Sequence, residues 1–518
     1  PALSLAIRID FSVKRDRVAD RIIISMDKIS IFRNFAAAAI LAVTCAAQAE
    51  VVTYPAGKDV PVVDDYSISV RQKGAGTWKP VDAYPVKLQH VKFVDGRVSN
   101  PVETASMAYF DFSGPVEVKV VSRRLQVKDV KIRPLSYKIA SEVKGDTITF
   151  TLERPANLSV EVNGEIFKNL HLFANPLDAH RPSAKTLKNL KKHKNLLYFA
   201  PGLHKFPEGK LRVPSGTTIY VDGGALVQGE LLLDSVRDVR VYGRGEIRPN
   251  PRGAGVSISN SRCIEAEGVI VSQIPVGGSD SVTITNVKSL TSYGWGDGMN
   301  VFASNNVHYD GVFCRNSDDC NTVYATRKGF RGGCRNILME NSTLWADVAH
   351  PIMIGLHGAA TEIGVNAPAD TIRHLVYRNM DILDQQEMQK DYQGVFAISC
   401  GDNNIVRDVL FENIRVEDFR RGQLVNIRIF LNEKYCKAPG GAVDNVTFRD
   451  VTYTGKNAST SIICGYNDER QVTNVTFENL VVNGIKITDD MPGKPKWYKA
   501  GDMCDIYIGN HVKNIVFK

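Results

Sequence analysis

The stretch "NVTFRDV", Asn445 to Val451, returns almost unchanged 29 residues later as "NVTFENL", Asn474 to Leu480. In both, Val and Phe alternate with polar residues, the period of a half-buried strand, and an Asp or Asn follows. The same frame recurs upstream as "SVTITNV" from Ser281, "NVHYDGV" from Asn306, "NILMENS" from Asn336, "HLVYRNM" from His374 and "DVLFENI" from Asp408. Aligned on Asn286, Gly311, Asn341, Asn379, Asn413, Asp450 and Asn479, the steps are 25, 30, 38, 34, 37 and 29 residues. One rung repeated at variable spacing describes coils of a parallel β-helix with loops of unequal length. Leucine-rich repeats would have a tighter period, and propeller blades four strands in a longer one. Asparagines at one rung position are expected to stack as an amide ladder.

Upstream of Leu196 the pattern differs. "DYSISVRQ", "VEVKVVS", "DTITFTLE" and "NLSVEVNG" are short alternating runs broken by Gly, Pro and Asn, the antiparallel signature of a β-sandwich. The chain is therefore expected to be all-β: a β-sandwich over 50–182, a basic, helix-compatible linker over 183–195, and a right-handed parallel β-helix over 196–518. The first methionine is Met26. Lys28 and Arg33, the apolar "FAAAAILAV" and the small residues Ala47 to Ala49 follow it, as in a secretory leader. Residues 1–25 are expected to be upstream translation and 26–49 a removed signal peptide, giving an exported, periplasmic or secreted protein. "LAVTC" around Cys45 is a poor lipoprotein signal. No second apolar run approaches the roughly 20 residues a membrane span requires.

The formal charge of +8 is mild for 518 residues and has no nucleic-acid-like patch. Beyond the leader, eight cysteines lie scattered without metal-like spacing, as buried core thiols do, with disulfide pairing of some the alternative in an exported protein.

Chemistry concentrates in "GWGDGMN" and "NSDDCN". Asp297 lies 21 residues before Asp318, close to one coil, so Asp297, Asp318 and Asp319 are expected on neighbouring coils stacked about 4.8 Å apart. Glycines 294, 296 and 298 are expected to allow a substrate's close approach. Three clustered carboxylates do not all ionise easily, so one is expected to hold a proton as general acid while the others activate water. An inverting glycosidase needs this division, with acid and base roughly 6.5 to 9.5 Å apart. A hard-cation site is the alternative for such a cluster, and an ordinary polar turn is the plainest one.

"GDGMNVF", "NSDDCNTVY" and "WADVAHPIMIGLHG", in that order, resemble the motifs of the inverting β-helix glycoside hydrolases, the polygalacturonase family and the related dextranase/isopullulanase family. "FPEGKLRVPSGTTIYVDGGALVQGE", from Phe206, resembles the opening coils of polygalacturonase-like proteins. The resemblance implies a glycosidase for α-linked polysaccharide or oligosaccharide that needs no metal or other cofactor. Asp318 would be the acid, Asp297 and Asp319 would hold the attacking water, and His350 would stand beside the acid. Tyr324, Lys328 and Trp345 are candidate sugar contacts, as is Arg428 in "NIRIF", the nearest string to an Arg-Ile-Lys uronate motif. Ala-His-Pro replaces the polygalacturonases' Gly-His-Gly, and the Trp-then-Pro-Ile segment and the sandwich lean towards the dextranase branch. The sugar stays open. A polysaccharide lyase on the same fold, with Lys328 or Arg327 abstracting a proton, and a non-catalytic glycan-binding β-helix are the competing readings.

Overall fold

Alternation of small apolar and polar residues dictates nearly every element of the computed structural model, which describes residues 49–95 and 97–518. The expected upstream stretch and leader, except Ala49, lie outside them. Between Val51 and Pro176 two sheets face each other. One runs, in order, through Val51–Thr53, Val102–Phe112, Leu170–Pro176, Ala156–Val162 and Val130–Arg133. The other runs through Ser141–Lys144, Thr147–Leu152, Val116–Ser122, Tyr66–Gln72 and Lys79–Val81. Their inward residues, among them Val70, Val118, Ile148, Leu158 and Leu172, are fully buried against one another. One pairing departs from the antiparallel expectation, since Leu170–Pro176 runs parallel to Val102–Phe112.

From Leu196 to Phe517 the strands join one continuous, mainly parallel sheet wound as a β-helix of three faces. The repeated frame forms the first face. Its second apolar position makes an internal aromatic stack: Tyr377 on Phe411, Phe411 on Phe448, Phe448 on Phe477 and Phe477 on Phe517, with ring centroids 5.3, 4.9, 4.8 and 4.6 Å apart. Those distances are close to the strand spacing itself. At the next corner Asn286, Asn341, Asn379, Asn413, Asp450 and Asn479 all take left-handed φ, which Asn and Asp tolerate best after Gly. The expected ladder runs along this corner, with Asn379 donating to Asn341 at 2.7 Å and Asn413 to Asn379 at 3.2 Å.

The second face comprises Ile270–Val271, Lys288–Leu290, Phe313–Asn316 and Thr343–Ala346 in parallel register. The sandwich covers it, with Tyr54, Tyr84 and Phe173 packed on Ile270 and Phe313. Arg244 pairs with Asp111 at 2.9 Å, and Arg133 with Glu417 at 2.7 Å, across the same junction. Between the two parts Ala184–Lys188 is a short helix capped by Ser183, whose hydroxyl accepts from the Thr186 amide at 3.2 Å. The eight cysteines of the described residues are free thiols, five of them buried. Among the described residues no helix is long and apolar enough to cross a membrane.

Candidate active site

The third face sets the site. Met299–Phe302, Asn321–Tyr324, Ile352–Ile354, Phe396–Cys400 and Val425–Ile429 pair in sequence, with Met299 opposite Asn321, Asn321 opposite Ile352 and Ile352 opposite Phe396. Each strand is entered from a corner, and Asp297, Asp319 and His350 stand two residues before the first three. The corners bond in the same register: Gly298 donates to the Asp319 carbonyl and Cys320 to the His350 carbonyl, each at 2.8 Å. The coil here is 22 residues, Met299 to Asn321, one more than the aspartate spacing suggests. Asp319 therefore stacks over Asp297, and Asp318 precedes it. The chain bends at Ser317 and Asp318 on leaving the second face, so neighbouring side chains escape the strict alternation of a strand.

Glycines 296 and 298 answer to this corner. A Cβ on Gly296 would lie 2.2 Å from Ser317 Oγ, and one on Gly298 would lie 2.5 Å from Asn316 Oδ1 and from the Cys320 carbonyl. Close approach of the next coil excludes a side chain there, not a substrate as the sequence suggested; Gly294 alone faces open space.

Asp319 is buried, and its carboxylate accepts three hydrogen bonds: from His350 Nδ1 at 2.7 Å, from the His350 amide at 3.2 Å and from the Tyr324 hydroxyl at 3.1 Å. The other ring nitrogen, Nε2, bonds the carbonyl of Tyr392, which can only accept. With a carbonyl on one side and a carboxylate on the other, both nitrogens donate, and the ring is an imidazolium. Burial opposes that charge, but Asp319 overcomes it and raises the His350 pKa from 6.5 to about 9. Asp297 is half-buried, and burial and then repulsion from Asp319 raise its carboxyl to about 6, against a 2.6 Å bond from Asn300 Nδ2 and the charge of Lys328. Asp318 is raised well above its ordinary value by burial, Asp319 and Asp297. Its Oδ1 accepts from the Asp319 amide at 3.0 Å. The surroundings of Asp318 thus favour its protonated form.

Of the expected residues, Asp297, Asp318, Asp319, His350 and Tyr324 come together. Lys328 is an exposed rim residue, its ammonium 5.3 Å from the Phe302 ring centroid. Trp345 does not line the cleft. It points outward from the second face, is 0% exposed, and lies under the sandwich with the Arg315 guanidinium 3.7 Å and that of Arg133 4.9 Å from its ring. No sugar reaches it. Arg428 is tied to a loop instead, donating to the Asp391 carbonyl at 3.2 Å. Sequence reasoning missed Asn300, which "GDGMN" places on the same face three residues after Asp297, and Tyr392, whose role rests on a backbone carbonyl and leaves no trace in residue type. Buried Glu387 was also missed; burial raises its carboxyl, and the His350 charge pulls it back. Among the described residues no three His, Cys, Asp or Glu side chains are grouped to hold a metal ion.

The fold is that of the right-handed β-helix glycoside hydrolases. Among solved structures the chain is similar to the dextranase Dex49A from Penicillium minioluteum, with 14% identity over 90% of this chain and 96% of that one, at a TM-score of 0.54. It is also similar to a family 28 exopolygalacturonase from Yersinia enterocolitica, with 12% identity over 77% and 96% and a TM-score of 0.43. A third similarity is to the catalytic domain of a GH87 alpha-1,3-glucanase, with 11% identity over 90% and 89% and a TM-score of 0.33. No family model and no curated protein matches the chain. At such an identity the likeness to Dex49A shows the fold, and the chemistry has to be read from the site.

Proposed function

We propose that the protein hydrolyses α-glycosidic bonds of a polysaccharide or oligosaccharide with inversion, using a β-helix catalytic domain over 196–518 behind a sandwich over 50–182. The observation that carries this reading is the three-carboxylate cluster in unequal surroundings: burial and its two neighbours favour the protonated form of Asp318, while Asp319 accepts from a buried imidazolium. Asp318 donates that proton to the glycosidic oxygen as the bond from C1 to that oxygen breaks. Asp297 and Asp319 hold a water, one of them takes its proton, and its oxygen bonds C1 from the opposite side. The elements of water are added across the bond, and the anomer inverts. His350 keeps Asp319 oriented, and Tyr324 fixes the other carboxylate oxygen. Export, with removal of 26–49, belongs to the proposal and rests on the leader pattern alone.

The test incubates the protein with dextran, pullulan and polygalacturonate, follows the products by chromatography and reads the first-formed anomer by NMR. Asp318→Asn is expected to lower kcat by about 100-fold or more. A retained anomer would overturn the mechanism. So would an unsaturated, ultraviolet-absorbing product whose formation stops in EDTA.

A further inference from the structure

The third face is not an open groove from end to end. Beyond His350, the outward residues Met353, Ala397, Ser399 and Asn426 are all buried, although nothing in a two-sided strand pattern requires it. Two segments cover them: the loop 387–393, through Tyr392, and the loop after Ile429, through Phe430 and Tyr435. The Tyr392 ring stands edge-on to His350, centroids 4.6 Å apart, and stacks on Tyr435 at 4.8 Å. Clamps hold the loop down. The Tyr435 hydroxyl and Lys434 Nζ donate to Gln389 Oε1 at 2.9 and 3.0 Å, and Arg428 donates to the Asp391 carbonyl. Further along, Arg428 and Ile462 are partly exposed, and Tyr507, in the column of Asn426 and Ile462, is 60% exposed. On the other side of the carboxylates Asn300 and Phe302 are buried too, with Phe330 packed on Phe302, and the exposed side chain is that of Trp295. Trp295, two residues before Asp297, is 79% exposed and held at a left-handed φ of 57°, a conformation costly for a bulky side chain.

We propose that the Tyr392–Tyr435 stack is a fixed wall that ends the substrate cleft one coil beyond the acids, so that the enzyme binds a chain end and releases one product of fixed, short length. This rests on the hydrolase reading above and adds its mode of attack. A chain crossing the face along the helix axis advances over strands about 4.8 Å apart, comparable to one sugar unit per strand. The wall occupies the next positions, so a polymer cannot continue through.

The experiment follows hydrolysis of a responsive polymer by viscosity and reducing ends together, with products sized from the first minutes. The expected result is a single small product throughout, with viscosity falling far more slowly than reducing ends rise. A ladder of intermediate sizes from the wild-type protein would overturn the wall. The Tyr435→Ala/Arg428→Ala double variant is expected to produce such a ladder, and Gln389→Ala serves if the double variant does not fold. A variant that is folded, by circular dichroism, and still releases one product size would also overturn the assignment. Absence of turnover on every glycan would instead defeat the hydrolase reading, and the wall with it.

Discussion

Replacing Asp297 by asparagine is expected to stabilise the protein while stopping turnover, with a pH dependence that identifies the cause. In the folded chain this carboxyl is raised from 3.8 to about 6. It binds its proton more tightly folded than unfolded, so its contribution to stability is fully present below about pH 3.8 and is lost as pH rises through 6. A shift of about two pKa units integrates to about 3 kcal/mol against folding above pH 7. Partial exposure of the side chain screens this to about 1–2 kcal/mol. Asparagine keeps the shape and an oxygen for the Asn300 amide but carries no charge near Asp319. Thermal melts of both proteins from pH 4 to 8, at matched ionic strength, should differ least at pH 4, diverge through pH 6 and reach a constant gap of a few degrees by pH 7.5. Turnover should fall about 100-fold or more at every pH. A melting difference that does not change with pH, or a variant less stable than wild type at pH 7.5, would refute the electrostatic reasoning.

Replacing His350 by glutamine removes the buried cation paired with Asp319 and should destabilise the fold by about 3 kcal/mol. Because the folded pKa is raised, to about 9, the loss should be largest below pH 6.5 and shrink as pH rises through 9, read from pH-resolved melts. Trp345→Ala should destabilise by about 3–5 kcal/mol and leave oligosaccharide affinity, measured by calorimetry below the melting range, unchanged; weaker binding in a folded variant would place the indole in the cleft. Asn379 combines a left-handed φ of 51° with ladder bonds, so Asn379→Ala should unfold at lower urea than Asn379→Gly, by about 1 kcal/mol.

The β-helix was legible because one coil recurs: an apolar pair at fixed spacing and an Asn or Asp at each left-handed corner leave a mark in residue type every 25 to 38 residues. The acidic triplet was legible through the same repeat, since coil length converts sequence distance into stacking. Trp345 was misread because alternation says only that a residue faces outward, not which of three faces it leaves or what covers that face. Only the docked sandwich decides that. Arg428 bonds a loop 37 residues upstream, whose path no periodicity encodes. A second ladder also went unseen, with Asn336 donating to Asn306 at 2.8 Å and Asn445 to Asp408 at 2.7 Å. There the rung varies among Asn, Asp, Ser, His and Cys, and the ladder dissolves into composition.

The junction behind the site explains why sandwich and β-helix form one compact unit from Ala49 to Lys518. Arg315 stands three residues before Asp318, and Asp347 three before His350. Their fully buried pair, at 2.9 and 3.1 Å, ties together the two corners that carry Asp318 and His350. The sandwich completes the arrangement: Asn169 Oδ1 and His171 Nε2 accept from Arg315 at 3.1 and 3.2 Å, and His171 Nδ1 donates to the Ser106 carbonyl at 3.1 Å. That fixes a neutral tautomer, consistent with burial and then Arg315 driving the His171 pKa down to about 3. A buried ion pair adds little net stability over apolar packing, but leaving either partner alone is severely destabilising. Such a network therefore tolerates one alignment of the two coils and penalises any slip between them. The sandwich thus acts on the chemistry from behind, by holding the register in which Asp319 meets His350.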